Sequence, residues 1–349
     1  MKILLKVARE KKGLKTREVA QLLGIDQALI SKFESGSRKP TKEQVIKLAS
    51  LLEIDLESIM IAWFKEKLLN EIGNDEFALK AMNIIREEVE NNYGITKRNI
   101  SNNLTTIINE IDALKAKLDA IKKLDNFKIA QALELEYTFE SNKIEGNTLT
   151  LRETDLVINE GLTISGKSMR EHLEVINHQE AIVYIKQLIE QNFPLNEREV
   201  LSINNLILRG IKAEEAGKYR KVQVMIKGSS HLPPQPFQVV KEMEDFFIWY
   251  ESNKKRLHPV ILAAELHERL VAIHPFIDGN GRSARLIMNL ILLQHGYVIA
   301  NIKGDYENRI QYYSALETAQ TKNSKEDFLM FIAQIEKESL ERYLNIIGE

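Results

Sequence analysis

The chain has 349 residues, 44% of them apolar and 28% charged, and it contains no cysteine. That length and balance suit a soluble protein of two or three domains, and the missing thiols exclude a disulfide scaffold, a cysteine-ligated zinc finger and a thiol nucleophile. Lys2 and Lys6 interrupt the stretch that a signal peptide would keep apolar, and no run approaches the ~20 apolar residues that cross a bilayer, so the expected setting is a reducing cytoplasm with no membrane partner.

The formal net charge of −2 hides an asymmetry. Residues 1 to 49 carry twelve Lys/Arg against five Asp/Glu, an excess of 7, leaving 36 against 45 for the remainder. A basic head on an acidic body suits contact with a polyanion.

Within that head, Thr16 reads as a capped helix start and Gly24 as the helix end. Asp26 can cap the next helix by accepting from its first-turn amides. Val19, Ala20, Leu23, Ile25, Ile30 and Phe33 would form the core of two short helices joined by a turn. Gln27, Ala28, Ser31 and Lys32 are then left on the outer side of the second helix, where groove-facing groups belong.

Further along, apolar residues recur at three and four positions almost everywhere, and Pro and Gly are few, so the chain reads as mainly α. Three regions separate: a compact head at 1–62, a polar helical linker at 63–125, and a main domain at 126–349. The linker holds a narrow stripe of Leu104, Ile107, Ile108, Ile111, Leu114, Leu118 and Ile121, suited either to a domain or dimer face or to packing on its own core. The best strand candidate alternates from Lys221 to Lys227, a short hairpin closed by Gly228 to His231 and broken at Pro233-Pro234.

The chemistry concentrates in His274-Pro-Phe-Ile-Asp278-Gly279-Asn280-Gly281-Arg282-Ser-Ala-Arg285, between two core helices. Gly279 and Gly281 let backbone amides approach an anion just before a helix N-terminus with unpaired N–H groups. Arg282 and Arg285 lie three apart on that helix, Asp278 offers a hard oxygen to Mg²⁺, and His274 can act as a base near neutral pH. Together these describe chemistry at a phosphoryl centre. His172, His178, His258, His267 and His295 read as structural; no His-Glu-x-x-His zinc site and no Gly-x-x-x-x-Gly-Lys-Ser/Thr phosphate loop is present.

Two family resemblances follow. The head resembles the Cro/repressor-like helix-turn-helix domain from Leu4 to about Ile59, through Arg9, Ala20, Leu23-Gly24-Ile25, Ile30-Ser31, Glu34-x-Gly36 and Arg38-x-Pro40, with Arg17 standing where a Gln is common. It implies binding of duplex DNA by Arg17, Gln27, Ala28, Ser31 and Lys32. The catalytic string resembles the Fic motif His-Pro-Phe-x-Asp/Glu-Gly-Asn-Gly-Arg-x-x-Arg at every defining position, within a likeness over roughly 130–335 that includes Gly217-Lys-Tyr-Arg220 and Arg309-x-x-Tyr312-Tyr313. That likeness implies a helical core with a hairpin flap and transfer of AMP from ATP to a hydroxyl of a target protein. His274 would take the hydroxyl proton and Asp278 would hold Mg²⁺. Gly279, Asn280 and Gly281 would bind the α-phosphate, Arg282 the phosphate chain and Arg285 the γ-phosphate. Gln320 falls near the place of an adenine-contacting Asn. Val224, Met225, Ile226, Lys227 and Gly228 would form the flap that docks the target by strand pairing.

Upstream, Ser141-x-x-x-Glu145-Gly146 resembles the inhibitory motif that accompanies this core, in a helix near 137–147. Arg285 cannot pair with both Glu145 and a γ-phosphate, so the resemblance implies inhibition in cis. Family habit and operator symmetry also imply a possible homodimer. The alternative is a DNA-binding regulator whose Fic body senses nucleotide or removes AMP.

Overall fold

The computed structural model describes residues 2–72, 101–121, 127–322 and 324–348. Contacts divide the chain into two units, 1–96 and 97–349. The described residues form fifteen α-helices, one 3₁₀ turn at Pro236–Gln238 and no strand.

In the first unit, α1 (Lys2–Lys11), α2 (Thr16–Leu23), α3 (Gln27–Ser35), α4 (Lys42–Leu52) and α5 (Leu56–Ile72) follow one another. Glycine at 24, at φ 65°, turns the chain between α2 and α3, and the Asp26 carboxylate accepts from the amide of Ala28 at 2.6 Å, as the sequence anticipates. The cap of α2 falls one residue earlier than expected. Lys15 occupies the cap position, its amide donating to the Glu18 carboxylate at 2.7 Å, and Thr16 is the first helical residue. Val19, Ala20, Ile30 and Phe33 are buried with Leu5, Val45, Leu48 and Ile59, and Leu23 and Ile25 are half-buried against them. Arg9 fixes α1 to α3 through a two-pronged contact with Glu34, at 2.6 and 2.9 Å, a geometry that matches its planar fork.

The second unit contains α6 (Asn102–Ile121), α7 (Phe127–Ile144), α8 (Leu151–Asn159), α9 (Met169–Glu190), α10 (Glu197–Leu208), α11 (Val239–Asn253), α12 (Pro259–Ile273), α13 (Asn280–Gln294), α14 (Tyr306–Thr321) and α15 (Glu326–Ile347). Its centre is α13. Leu286, Ile287, Met288, Leu290, Ile291 and Leu292 are all fully buried, as a helix apolar on every face requires. Even Asn289 is buried, and it satisfies both ends of its amide on the backbone of Ala300. Helices α7, α9, α10 and α12 surround α13. The stripe on α6 packs against α15 within this core, which resolves its two readings in favour of packing inside the unit. Helix α5 continues past residue 62; most of the expected linker, including 73–100, lies outside the described residues.

The hairpin expected at 221–231 is not formed. Residues 223–226 belong to neither helix nor strand and lead into a turn at Lys227-Gly228, where the Ser229 amide donates to the Ile226 carbonyl at 3.2 Å, but no ladder joins the two arms. The returning arm contains Pro233 and Pro234, which have no amide proton to give. No described helix is long and apolar enough to cross a membrane.

Candidate active site

Helix α12 stops at His274, which adopts a left-handed conformation (φ 50°) while its amide still donates to Leu270 at 2.9 Å. Pro275 cannot continue the helix, and the chain crosses to Gly279 (φ 78°), where α13 begins. A Cβ at 279 would meet Asn204 at 3.1 Å and Ile207 at 3.2 Å, so both space and backbone require glycine there. The side chain of Asn280 closes the turn on itself, donating to the Phe276 carbonyl and accepting from the Phe276 amide, both at 2.9 Å. It is a staple for the loop, so only its backbone remains for an anion.

The imidazole of His274 has Nδ1 3.3 Å from the carbonyl oxygen of Val271. A carbonyl only accepts, so the ring proton belongs on Nδ1 and Nε2 keeps its lone pair. Burial pushes the pKa of His274 down, although the Val271 contact opposes it. The ring is therefore a neutral base at neutral pH.

Asp278 sits among cations. Its Oδ1 accepts from the Gly279 amide at 2.7 Å and from Arg282 at 3.3 Å, and its Oδ2 faces Lys212 at 2.9 Å and Arg170 at 3.3 Å. Burial alone would raise its pKa, but Lys212 and Arg282 outweigh burial and hold the carboxyl below its usual range. Arg282 is 2% exposed, yet its Nε has no hydrogen-bond partner and its Nη1 stands 3.6 Å from Glu174. A buried guanidinium with unused donors at a helix N-terminus is suited to an anion.

Arg285 is 1% exposed and fully engaged. It donates to the Ser141 hydroxyl (3.0 Å), the Ser141 carbonyl (2.9 Å) and Glu145 Oε1 (2.7 Å), with the Tyr312 hydroxyl at 3.5 Å. The expected inhibitory residues thus meet the second arginine of the motif directly, at the end of α7 and in the turn where Gly146 (φ 97°) follows. Burial would raise the pKa of Glu145, but Arg285 and Arg282 together hold it below the usual carboxylate range. A Cβ at Gly281 would stand 2.5 Å from Glu145 Oε1, so this glycine makes room for the carboxylate.

Gln320 lies on the last turn of α14 with its Nε2 buried and unpartnered. Of the flap residues, Met225, Lys227 and Gly228 are exposed, whereas Val224 and Ile226 are half-buried. In the first unit, Arg17, Gln27, Ala28, Ser31 and Lys32 are all exposed. His172, His178, His258, His267 and His295 each have a ring nitrogen within hydrogen-bond distance of another protein group; His267 Nε2, for example, lies 3.0 Å from the Tyr312 hydroxyl.

Further residues shape the site from outside the motif. Arg220 is buried and donates to the carbonyls of His274 (2.8 Å), Val222 (3.1 Å) and Pro234 (2.6 Å), tying His274 to both ends of the flap. Asn204 joins the Asp278 carbonyl (3.0 Å) to the Gly217 amide (3.1 Å). Glu317 receives the hydroxyls of Ser229 and Ser230 and the Ser230 amide. Only Arg220, inside the Gly-x-Tyr-Arg string, could have been singled out from sequence.

Known proteins bear on this arrangement. Residues 194–292 match the Fic/DOC family and residues 5–59 the helix-turn-helix family. The chain carries a Fic/DOC domain. Its relatives include a protein adenylyltransferase Fic of Nematostella vectensis, 34% identical over 242 residues that cover 68% of this chain and 56% of that protein. A Fic-domain-containing signalling protein of Bacteroides thetaiotaomicron superposes with a TM-score of 0.60 at 29% identity, over 66% of this chain and 95% of that structure. Fic-1 of C. elegans shares the fold, with a TM-score of 0.62 at 23% identity, over 98% of this chain and 97% of that one. This Fic-domain chain spans about half the length of the curated relatives it matches.

Proposed function

We propose that the chain is a cytoplasmic protein adenylyltransferase that moves AMP from ATP to a Ser, Thr or Tyr hydroxyl of a target protein, restrained in cis by Glu145. Nε2 of His274 takes the hydroxyl proton as the oxygen attacks the α-phosphorus. The new O–P bond forms as the bond to the β-phosphate oxygen breaks, and pyrophosphate leaves. The first turn of α13 and Arg282 stabilise the phosphate oxygens. Arg285 takes the γ-phosphate once Glu145 withdraws. The observation that carries the reading is the neutral histidine with its free Nε2, set beside a helix start whose buried arginine has donors to spare.

Asp278 fits Mg²⁺ as a partner of nucleotide phosphates. It brings one ionised carboxylate, and no group of three His, Cys, Asp or Glu forms a cage among the described residues. Mg²⁺ held there would neutralise charge on the departing pyrophosphate.

The Glu145–Arg285 pair, supported by Ser141, supplies the brake. Its carboxylate keeps 34% of its exposure, so it can leave without disturbing the core. While it stays, the γ-phosphate is turned away and the α-phosphate is misaligned, a fault that costs about a hundredfold in such reactions. Glu145→Gly should accordingly raise transfer from α-labelled ATP by roughly 10²-fold. Equal rates for the two proteins would dispose of the brake.

The backbone of Val224 and Met225, which is not hydrogen-bonded to another described residue, supports a docking role for the flap, in which a target strand would pair with it. The head would bind duplex DNA through α3. Lys32→Ala should weaken binding to all sequences alike and lower the salt slope by about one, read by fluorescence anisotropy across a salt series. An unchanged slope removes Lys32 from the interface.

A further inference from the structure

Three cations surround Asp278, and only Arg282 belongs to the motif helix. The others come from separate elements. Lys212 lies in the turn after α10, and Arg170 lies in the first turn of α9. Both converge on one oxygen, Oδ2, and each is partly exposed, at 38% and 54%. Exposed ion pairs contribute little stability, and two cations crowded on a single oxygen repel each other. An arrangement serving stability alone would need only one. Arg170 is also held from below, since Glu174 accepts from its Nε at 3.0 Å and is itself fixed by Asn147 at 3.0 Å.

The charges explain what the cluster lacks. The ion pairs of Arg170, Lys212 and Arg282 are with Asp278 and Glu174, an excess of one positive charge, and Glu145, whose charge Arg282 also feels, is balanced by Arg285. Release of Glu145 from Arg285 adds another. A magnesium–ATP complex, with about two net negative charges, balances the opened cluster. The unpartnered Nε of buried Arg282 independently marks the same place as a ligand site.

We propose that Lys212 and Arg170 are a second pair of polyphosphate-binding cations, resting on Asp278 without nucleotide and contacting the β- and γ-phosphates when it binds. The proposal rests on the adenylyltransferase reading of the site. They would also accompany the pyrophosphate as it forms, since charge builds on those oxygens as the α–β bond breaks.

The test compares two ligands by calorimetry on the full chain carrying Glu145→Gly, with MgCl₂ present: a non-hydrolysable ATP analogue, and AMP, which lacks the β- and γ-phosphates. Adding Lys212→Gln should weaken the analogue roughly tenfold and AMP less than twofold, adding Arg170→Gln should do so by roughly threefold, and Lys212→Arg should restore the analogue. If the analogue binds the Lys212→Gln protein unchanged, or if both ligands weaken together, the pair is structural and the inference is overturned. A parent protein that binds neither ligand would instead overturn the adenylyltransferase reading.

Discussion

The catalytic loop at 274–279 and the flap at 223–231 are both irregular and both tied to Arg220, yet they dispose of their backbone groups in opposite ways. In the loop, the His274 amide, the His274, Pro275 and Asp278 carbonyls, and both backbone groups of Phe276 are bonded within the protein. In the flap, no hydrogen bond ties the backbone of Val224 or Met225 to another described residue. The side chains differ in the same sense: Phe276 is fully buried, whereas Met225 keeps 80% of its exposure. A loop that must place a base within a fraction of an ångström cannot leave its shape to the substrate. An edge that greets a polypeptide must keep donors and acceptors for it. On the adenylyltransferase reading, the difference divides the site into a part that would perform the chemistry and a part that would recognise the target.

The largest effect should come from the chemical part. In the Glu145→Gly background, His274→Ala should lower transfer by roughly 10²- to 10⁴-fold, the range for losing a positioned general base. Binding of the ATP analogue should change little, because His274 makes no hydrogen bond to Asp278, Arg282 or Arg285. Unchanged DNA binding alongside lost transfer would also separate the enzyme from a regulator that only senses nucleotide. A rate within a few-fold of the parent would end the role of His274 as base.

A smaller effect belongs to the flap. Glu317 lies on α14 and is the anchor of the flap's turn, through Ser229 and Ser230. Glu317→Gln weakens a charge-assisted anchor while keeping its size. KM for the target protein should rise several-fold, about what one charge-assisted hydrogen bond contributes, with kcat and the affinity for ATP nearly unchanged. A fall in kcat at constant KM would show that the flap and the loop are not separable.

The same division governs what sequence could reveal. Loop residues signal because their constraints are local: His274 before a proline, glycines at 279 and 281, arginines at 282 and 285 on one helix. The brake is legible for the same reason, as Ser141 and Glu145 lie one turn apart. Its partner needed a second motif 140 residues away. Lys212, Arg170, Asn204 and Glu317 are ordinary polar residues whose meaning comes only from long-range closure, as when Asn204 meets Asp278 across 74 positions. The flap misled because alternation at 221–227 specifies one extended arm, while pairing depends on the other arm, which has prolines at 233 and 234. The mainly helical class was legible, since the apolar period of a helix is local and the buried face of α13 leaves little ambiguity.

The smallest effect concerns pH, and it tests whether the loop alone sets the chemistry. Burial depresses the pKa of His274 from its ordinary value of 6.5. The basic form therefore already predominates at pH 6.5 and is lost as pH falls through the lower, folded value. For the Glu145→Gly protein, kcat/KM should keep more than half its plateau at pH 6.5, with the acid limb centred below that point. Besides burial, the groups that shift this histidine are Val271 and Glu145, which favour its charged form, and Arg220 and His231, which oppose it; only His231 lies in the flap. Glu317 is not among these groups, so Glu317→Gln should leave the acid limb where it is even as KM for the target rises. An acid limb centred above 6.5 would mean that His274 is stabilised in its charged form, and the neutral base inferred from Val271 would be lost with it.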